Sequence, residues 1–136
     1  MITDIGSIPI LVRDAEKAVQ WYQEKLGFEI VSDKGHWIAV RPKNSLIIFH
    51  LCCECPAWGA DTPGGPTGVW LRCGESVQFM DKATGAVIPR SPQENVERTY
   101  RELKSKGVEF SEELSESPFG KYAIFKDLDG NEFYIW

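Results

Sequence analysis

Few side chains in this sequence are equipped for chemistry, and they fall into two groups. His50, Cys52, Cys53 and Cys55 crowd onto one short stretch. Imidazole and thiolate ligands at close spacing bind zinc or copper. The plainer reading is free thiols at a strand end, because Cys-Cys-x-Cys lacks the two-residue spacer of structural zinc sites and no second knuckle follows. A Cys–His nucleophile would need Cys73 or Cys52, yet alternation along its strand turns Cys73 to the buried side, where a small apolar thiol belongs. His36 sits in a turn beside Trp37 and reads as solvated. The acidic run Glu109, Glu112, Glu113 and Glu116 reads as a solvated edge and carries no site. The second group is aromatic: five Trp in 136 residues call for a large apolar core or a ring-walled pocket.

These residues need elements to position them. Ser7 to Val12 alternates Ile8, Ile10 and Val12 with Ser7, Pro9 and Leu11 in the period of a strand. Asp14 then caps a helix whose Ala15, Ala18, Val19, Tyr22 and Leu26 recur at helical spacing until Gly27 ends it. Phe28 to Ser32, His36 to Arg41 and Leu46 to Leu51 read as three strands, parted by the turn-formers Asp33-Lys34-Gly35 and Pro42-Lys43-Asn44. The order is βαβββ.

The same order returns. Gly68 to Cys73 is a strand, and Ser91-Pro92-Gln93-Glu94 has the form of a capping box with Pro at the first helical position. Val96, Tyr100 and Leu103 stripe the helix that follows, and Gly107 closes it. Val108 to Glu112, Lys121 to Lys126 and Asn131 to Trp136 supply three more strands. Tyr22 to Ile30 and Tyr100 to Phe110 look like copies of one unit, offset by 78 to 80 residues. The expected organisation is a single α+β domain over 1–136, with module 1 at 1–55, a Gly- and Pro-rich linker at 56–67 and module 2 at 68–136. An insertion at 74–90 interrupts module 2, with a hairpin expected around Lys82-Ala83-Thr84-Gly85.

Two βαβββ units, an Asp after the first strand, a Tyr and a Leu-Gly at the end of the helix, and the closing Phe119-Gly-Lys-Tyr-Ala-Ile-Phe-Lys-Asp-Leu-Asp-Gly-Asn-Glu-Phe-Tyr-Ile-Trp136 resemble the vicinal oxygen chelate superfamily. That group includes glyoxalases, bleomycin-resistance proteins, fosfomycin-resistance enzymes and extradiol dioxygenases. The resemblance implies two βαβββ modules forming a cup-shaped mixed sheet, and it is specific for fold more than for activity. In the metal-dependent members of the family, ligands look out from the concave faces of the sheets. Those positions match Ser7, Gly68 and Tyr134 here, with Ile48 as the fourth unless a slip of two brings in His50. A hydroxyl, a bare glycine, a phenol and at best one imidazole make a poor divalent site. No metal and no other cofactor is therefore expected, a divalent ion being the alternative.

Strand parity extends the implied site. With Ile8, Ile10 and Val12 facing the helix, Gly68, Trp70 and Arg72 face the concavity, as do Glu132, Tyr134 and Trp136, while Phe133 and Ile135 pack behind. Trp37 and His50 join them from strands three and four. The resulting cup is walled by Trp37, Trp70, Tyr134 and Trp136, with His50, Arg72 and Glu132 as polar tips, which is the make-up of a small-molecule pocket. These aromatics filling space, and Arg72 with Glu132 as a buried ion pair, are the structural alternatives. The implied function is that of the bleomycin-resistance type: metal-free sequestration of a planar or amphipathic small molecule, with antibiotic resistance as its setting. The competing reading is a metal-dependent lyase, isomerase or dioxygenase using His50, so enzymatic activity stays open. An interaction module is a third possibility.

Fifteen Lys and Arg against 20 Asp and Glu leave a net charge of −5, which offers no footprint for nucleic acid or an anionic membrane. No run approaches the length of a spanning helix, and the first residues lack a basic segment followed by an apolar run. A cytoplasmic protein with reduced cysteines is expected. Open sheet edges, and the habit of relatives of completing their cups across a two-fold axis, predict a homodimer.

Overall fold

Asp14 starts the first helix as its spacing predicts: in the computed structural model its carboxylate accepts the backbone N–H of Lys17 at 3.1 Å. Residues 1–53, 62–75 and 77–136 are described. They form two units, Met1–Thr67 with Asp127–Asn131, and Gly68–Lys126 with Glu132–Trp136. The loop Asp127–Asn131, read from sequence as part of module 2, thus belongs with the first unit.

In the first unit, β1 (Ser7–Leu11), α1 (Ala15–Leu26), β2 (Glu29–Ser32), β3 (Ala39–Arg41) and β4 (Ile48–Cys52) build a sheet in the order β1-β4-β3-β2. β1 runs parallel to β4, Ser7 opposite Ile48 and Leu11 opposite Cys52, which the helical crossover makes possible. Ala15, Ala18, Val19 and Tyr22 form the buried face of α1, and Gly27, at φ 68°, ends the helix in the left-handed conformation that glycine tolerates. The Tyr22 ring packs edge-on against Phe49 and is tilted against Phe28. Its hydroxyl donates to Asp127 Oδ2 at 2.7 Å. Asp127 Oδ1 takes the backbone N–H groups of Asp129 and Asn131, and Asn131 Nδ2 donates to the Leu11 carbonyl. That network ties the loop to α1 and β1 of the first unit.

In the second unit, the order β5 (Gly65–Leu71), β6 (Val77–Met80), β7 (Val87–Arg90), α2 (Gln93–Ser105), β8 (Phe110–Ser117), β9 (Gly120–Lys126), β10 (Asn131–Ile135) repeats the plan with one addition. The sheet runs β5-β10-β9-β8, while β6 and β7 pair apart from it as the hairpin expected in the insertion. The backbone N–H of Asp81 donates to the Ala86 carbonyl and that of Gly85 to the Asp81 carbonyl, closing the hairpin's turn. Phe125, Phe133, Ile135, Val96 and Leu103 fill the space between sheet and helix.

Several expectations need correction. Ser91 does not cap α2: its hydroxyl accepts the Cys73 backbone N–H at 3.0 Å, and the helix begins after Pro92 with no side-chain cap. β5 starts at Gly65, inside the expected linker, and residues 56–61 of that linker lie outside those described. The third strand shortens to Ala39–Arg41 because the turn at Gly35 still carries His36, so Trp37 stands ahead of it. The fourth starts at Ile48 because Ser45 bonds back to Pro42 and caps Ile47. β8 runs on to Ser117, paired with β9 to the turn at Gly120. The chain is not uniformly reduced: Cys52 is disulfide-bonded, while Cys53 and Cys73 are free. Cys55, the last residue of the Cys-Cys-x-Cys stretch, lies outside the described residues.

Candidate functional site

The face of the second sheet turned away from α2 is built by alternation. On β10, Phe133 and Ile135 are buried and Glu132, Tyr134 and Trp136 are half-buried on the other side. β9 matches it, with Ala123 and Phe125 buried and Tyr122 and Ile124 on the open face. Gly68, Trp70 and Arg72 take the exposed positions along β5 and just beyond it. Arg72 is thus exposed, not the buried partner of Glu132 that the alternative reading required.

The structure brings three of the predicted aromatics together. Trp70 stacks on Tyr134 with 4.2 Å between ring centroids and 15° between planes, and meets Trp136 edge-on at 6.1 Å. Tyr122 stacks on the same Tyr134 at 6.3 Å. At one end of this cluster lies a cavity of about 370 Å³ walled by Trp70, Tyr122, Trp136 and Phe119, with Ile88 and Arg90 contributed by β7 and Lys121 by β9. Sequence reasoning missed Tyr122, although the parity used for Tyr134 finds it once β9 is paired with β10. It also missed Phe119, in the β8–β9 turn, and Ile88 and Arg90, because nothing local says which way an inserted hairpin folds.

The polar groups here have defined states. The Tyr122 hydroxyl donates to Glu112 Oε1 at 2.6 Å, which pushes its pKa above the ordinary phenol value and keeps it protonated. Lys121 is bonded to Glu97 of α2, which raises its pKa and keeps it an ammonium. The rest of the acidic run is paired too: Glu109 with Lys126, Glu113 with Lys104, and Glu116 with Lys121.

Trp37 and His50, predicted for the same cup, pair with each other within the first unit, 4.0 Å apart and 22° from parallel. Register relates this pair to the aromatic cluster of the second unit. The Val12 N–H bonds to the Cys52 carbonyl and the Cys73 N–H to the Trp136 carbonyl, the same bond in the two repeats. Ala39 faces His50 as Ile124 faces Tyr134. His50 is therefore the counterpart of Tyr134, Trp37 of Tyr122, and Ile48 of Glu132. Each repeat stacks a ring on the same position.

The positions matching family metal ligands do not fit a divalent cation. Ser7 faces Ile48 across β1 and β4, Ile48 and Gly68 bring no donor, and Tyr134 offers a phenol whose ring is stacked on Trp70. Even with His50 counted in place of Ile48, the set holds one good ligand where three are needed. Among the described residues, no three His, Cys, Asp or Glu side chains gather as a metal would require, and no helix is long and apolar enough to cross a membrane.

Comparison with known proteins gives consistent findings. Residues 4–135 match the family profile described as Glyoxalase/Bleomycin resistance protein/Dioxygenase superfamily. YetH of Bacillus subtilis strain 168, an uncharacterized protein, is 27% identical over 140 residues, covering 99% of this chain and 98% of its own. Among solved structures, a superfamily member from Sphaerobacter thermophilus DSM 20745 superposes with a TM-score of 0.70 at 27% identity, covering 98% of this chain and 96% of that one. TnmS3, an antibiotic binding protein from Streptomyces sp. CB03234, superposes with a TM-score of 0.72 at 26% identity, covering 98% and 94%.

Proposed function

The chain belongs to the Glyoxalase/Bleomycin resistance protein/Dioxygenase superfamily, and from that premise we propose that it is a metal-free binding protein that sequesters a planar or amphipathic small molecule in the aromatic cavity of its second unit. The observation that carries this reading is the cavity: about 370 Å³, within the range of small-molecule sites, with two indoles, a phenol and a phenyl ring in its wall. Such a wall binds flat rings by stacking and apolar burial. The unfit donor set supports the absence of metal chemistry. TnmS3, an antibiotic binding protein of similar sequence and fold, supports a ligand of the antibiotic class.

Titration with a panel of planar aromatic compounds, followed by Trp fluorescence, tests the reading. Saturable one-to-one quenching is expected, and indifference across the panel overturns it. Elemental analysis of protein purified without a His-tag addresses the competing metal-dependent lyase, isomerase or dioxygenase. Less than a tenth of an equivalent of metal is expected, on the order of purification background, and ligand binding is expected to be unchanged by chelator. A stoichiometric, chelator-removable ion would transfer the argument to His50. The proposal includes a homodimer, since edge strands leave backbone groups open to pairing. Light scattering is expected to return twice the 15.4 kDa chain mass. It also includes a cytoplasmic location, tested by cell fractionation.

A further inference from the structure

Resting on that reading of the cavity, we propose that Phe119, in the β8–β9 turn, is the residue that covers the bound ring system, and that Gln93 of α2 is the positioning residue that holds this turn at the cavity.

Ser117, Phe119, Gly120 and Lys121 bring the whole turn to the cavity wall. Phe119 nevertheless keeps 77% of its surface exposed. Among the described residues of the second unit, the exposed large apolar side chains are Trp70 and Phe119 in the cavity wall and Val77, Met80 and Val87 on the hairpin. A lone exposed phenyl needs no explanation. One that shares a cavity with a half-exposed indole is apolar surface gathered where a ligand would bury it.

The backbone that carries this ring is fixed. Gln93 opens α2, and its side-chain oxygen accepts the backbone N–H of Lys121. One helical turn on, along the same face, Glu97 takes the Lys121 ammonium. Within the turn, the Ser117 hydroxyl donates to the Gly120 carbonyl at 2.9 Å and accepts the Phe119 N–H at 3.2 Å. Gly120 sits at φ 117°, and a Cβ there would lie 2.8 Å from Gln93 Nε2, so glycine is what lets the turn come this close to the helix. The hairpin that supplies Ile88 is held at both feet too: Ser91 Oγ takes the Cys73 N–H at 3.0 Å, and a Cβ on Gly74 would lie 2.5 Å from Asn95 Nδ2. Phe119 thus joins a fixed backbone to an unburied ring, so covering a ligand costs the rotation of one side chain and not the ordering of a loop.

Fluorescence titration with three flat probes tests this: hydroxymethylanthracene, hydroxymethylphenanthrene and hydroxymethylpyrene. Phe119→Ala is expected to weaken binding by about tenfold, mainly through faster dissociation. The melting temperature should not change, because the ring buries little in the free protein. Phe119→Leu should keep part of the affinity, since apolar cover remains and the aromatic face is lost. Gln93→Ala is expected to weaken binding about threefold when Phe119 is present and not at all in the Phe119→Ala background, a coupling that a merely structural role would not produce. Gln93→Glu keeps an acceptor for the Lys121 N–H and should bind as the wild type does. Circular dichroism verifies that each variant is folded. Full affinity in Phe119→Ala overturns the inference and leaves the aromatic cavity standing, and equal losses from Gln93→Ala in both backgrounds overturn the positioning role. Failure of all three probes to bind the wild type overturns the cavity reading itself, and the inference with it.

Discussion

Trp70 on β5 and Tyr134 on β10 lie ring on ring, 4.2 Å between centroids and 15° from parallel, on the face of the sheet that α2 does not cover. The sheet does not need this stack for its core, because Phe125 and Phe133 are fully buried on the opposite side. Trp70 itself is 52% exposed. An ordered indole held on a phenol and left half in solvent gives a ligand a preformed surface, which lowers the ordering cost of binding.

Trp70→Ala should therefore separate binding from folding. Loss of a stacking face is expected to weaken binding of a planar aromatic probe by about tenfold or more, while stability falls by about 1–3 kcal/mol, the cost of a half-buried indole and its stack, which leaves the protein folded. Fluorescence titration and thermal unfolding of the same sample measure both. A variant that unfolds but binds normally when folded would place Trp70 in the core.

Tyr22→Phe should do the reverse. The Tyr22 hydroxyl is buried and donates to Asp127 Oδ2 at 2.7 Å; burial first, then the neighbouring Asp127 charge, holds its pKa well above the ordinary phenol value. Removing it leaves Asp127 short of a donor in a buried network. Urea denaturation is expected to show a loss of about 1–3 kcal/mol. Probe affinity should not move, because Tyr22 lies outside the cavity wall.

Acid should loosen the second unit in a way that two glutamates report. Hydrogen bonds from Lys121 to Glu97, and from Lys104 and Tyr100 to Glu113, hold both carboxyls below their usual value of 4.5. Folded values lower than unfolded ones mean that the stabilisation is present above pH 4.5 and is lost as pH falls through the folded values. The melting temperature is expected to drop over that range, with Glu97→Gln giving a shallower slope. Lys121, whose folded value is raised above 10.5, loses its part of the pair only as pH climbs through that higher value. Added salt should flatten both limbs, since these groups meet solvent.

The thiols should differ in reactivity by burial. Cys53 is exposed and Cys73 buried, and burial pushes the Cys73 thiol up despite the opposing bonds from Thr99 and the Trp136 backbone. Brief alkylation of the native protein, mapped by mass spectrometry, is expected to label Cys53 and spare Cys73 until denaturant is added. Native labelling of Cys73 would mean that the joint between β5 and the hairpin opens readily.

The sequence by itself determined the elements whose signals are local. Asp14 and Gly27 bound α1 because a cap and a left-handed glycine act within a turn, and the Tyr-to-Gly spacing of the two helices revealed the repeat. Alternation placed Tyr134 and Trp136 opposite Phe133 and Ile135, since a strand's period follows from its backbone. Where a group had two partners to choose from, the sequence misled. Ser91 carries a capping signature, but the Cys73 N–H, distant in sequence, takes its hydroxyl. The loop Asp127–Asn131 reads as an ordinary hairpin turn, but Tyr22 and Leu11 bind it into the first unit. The composition of the cavity was likewise decided by tertiary structure. Arg90 and Ile88 reach the wall because the inserted hairpin is pinned at both feet, and Tyr122 because pairing sets β9 beside β10. Register and hairpin direction are long-range choices, made by hydrogen bonds and packing between segments, so no local pattern in the chain records them.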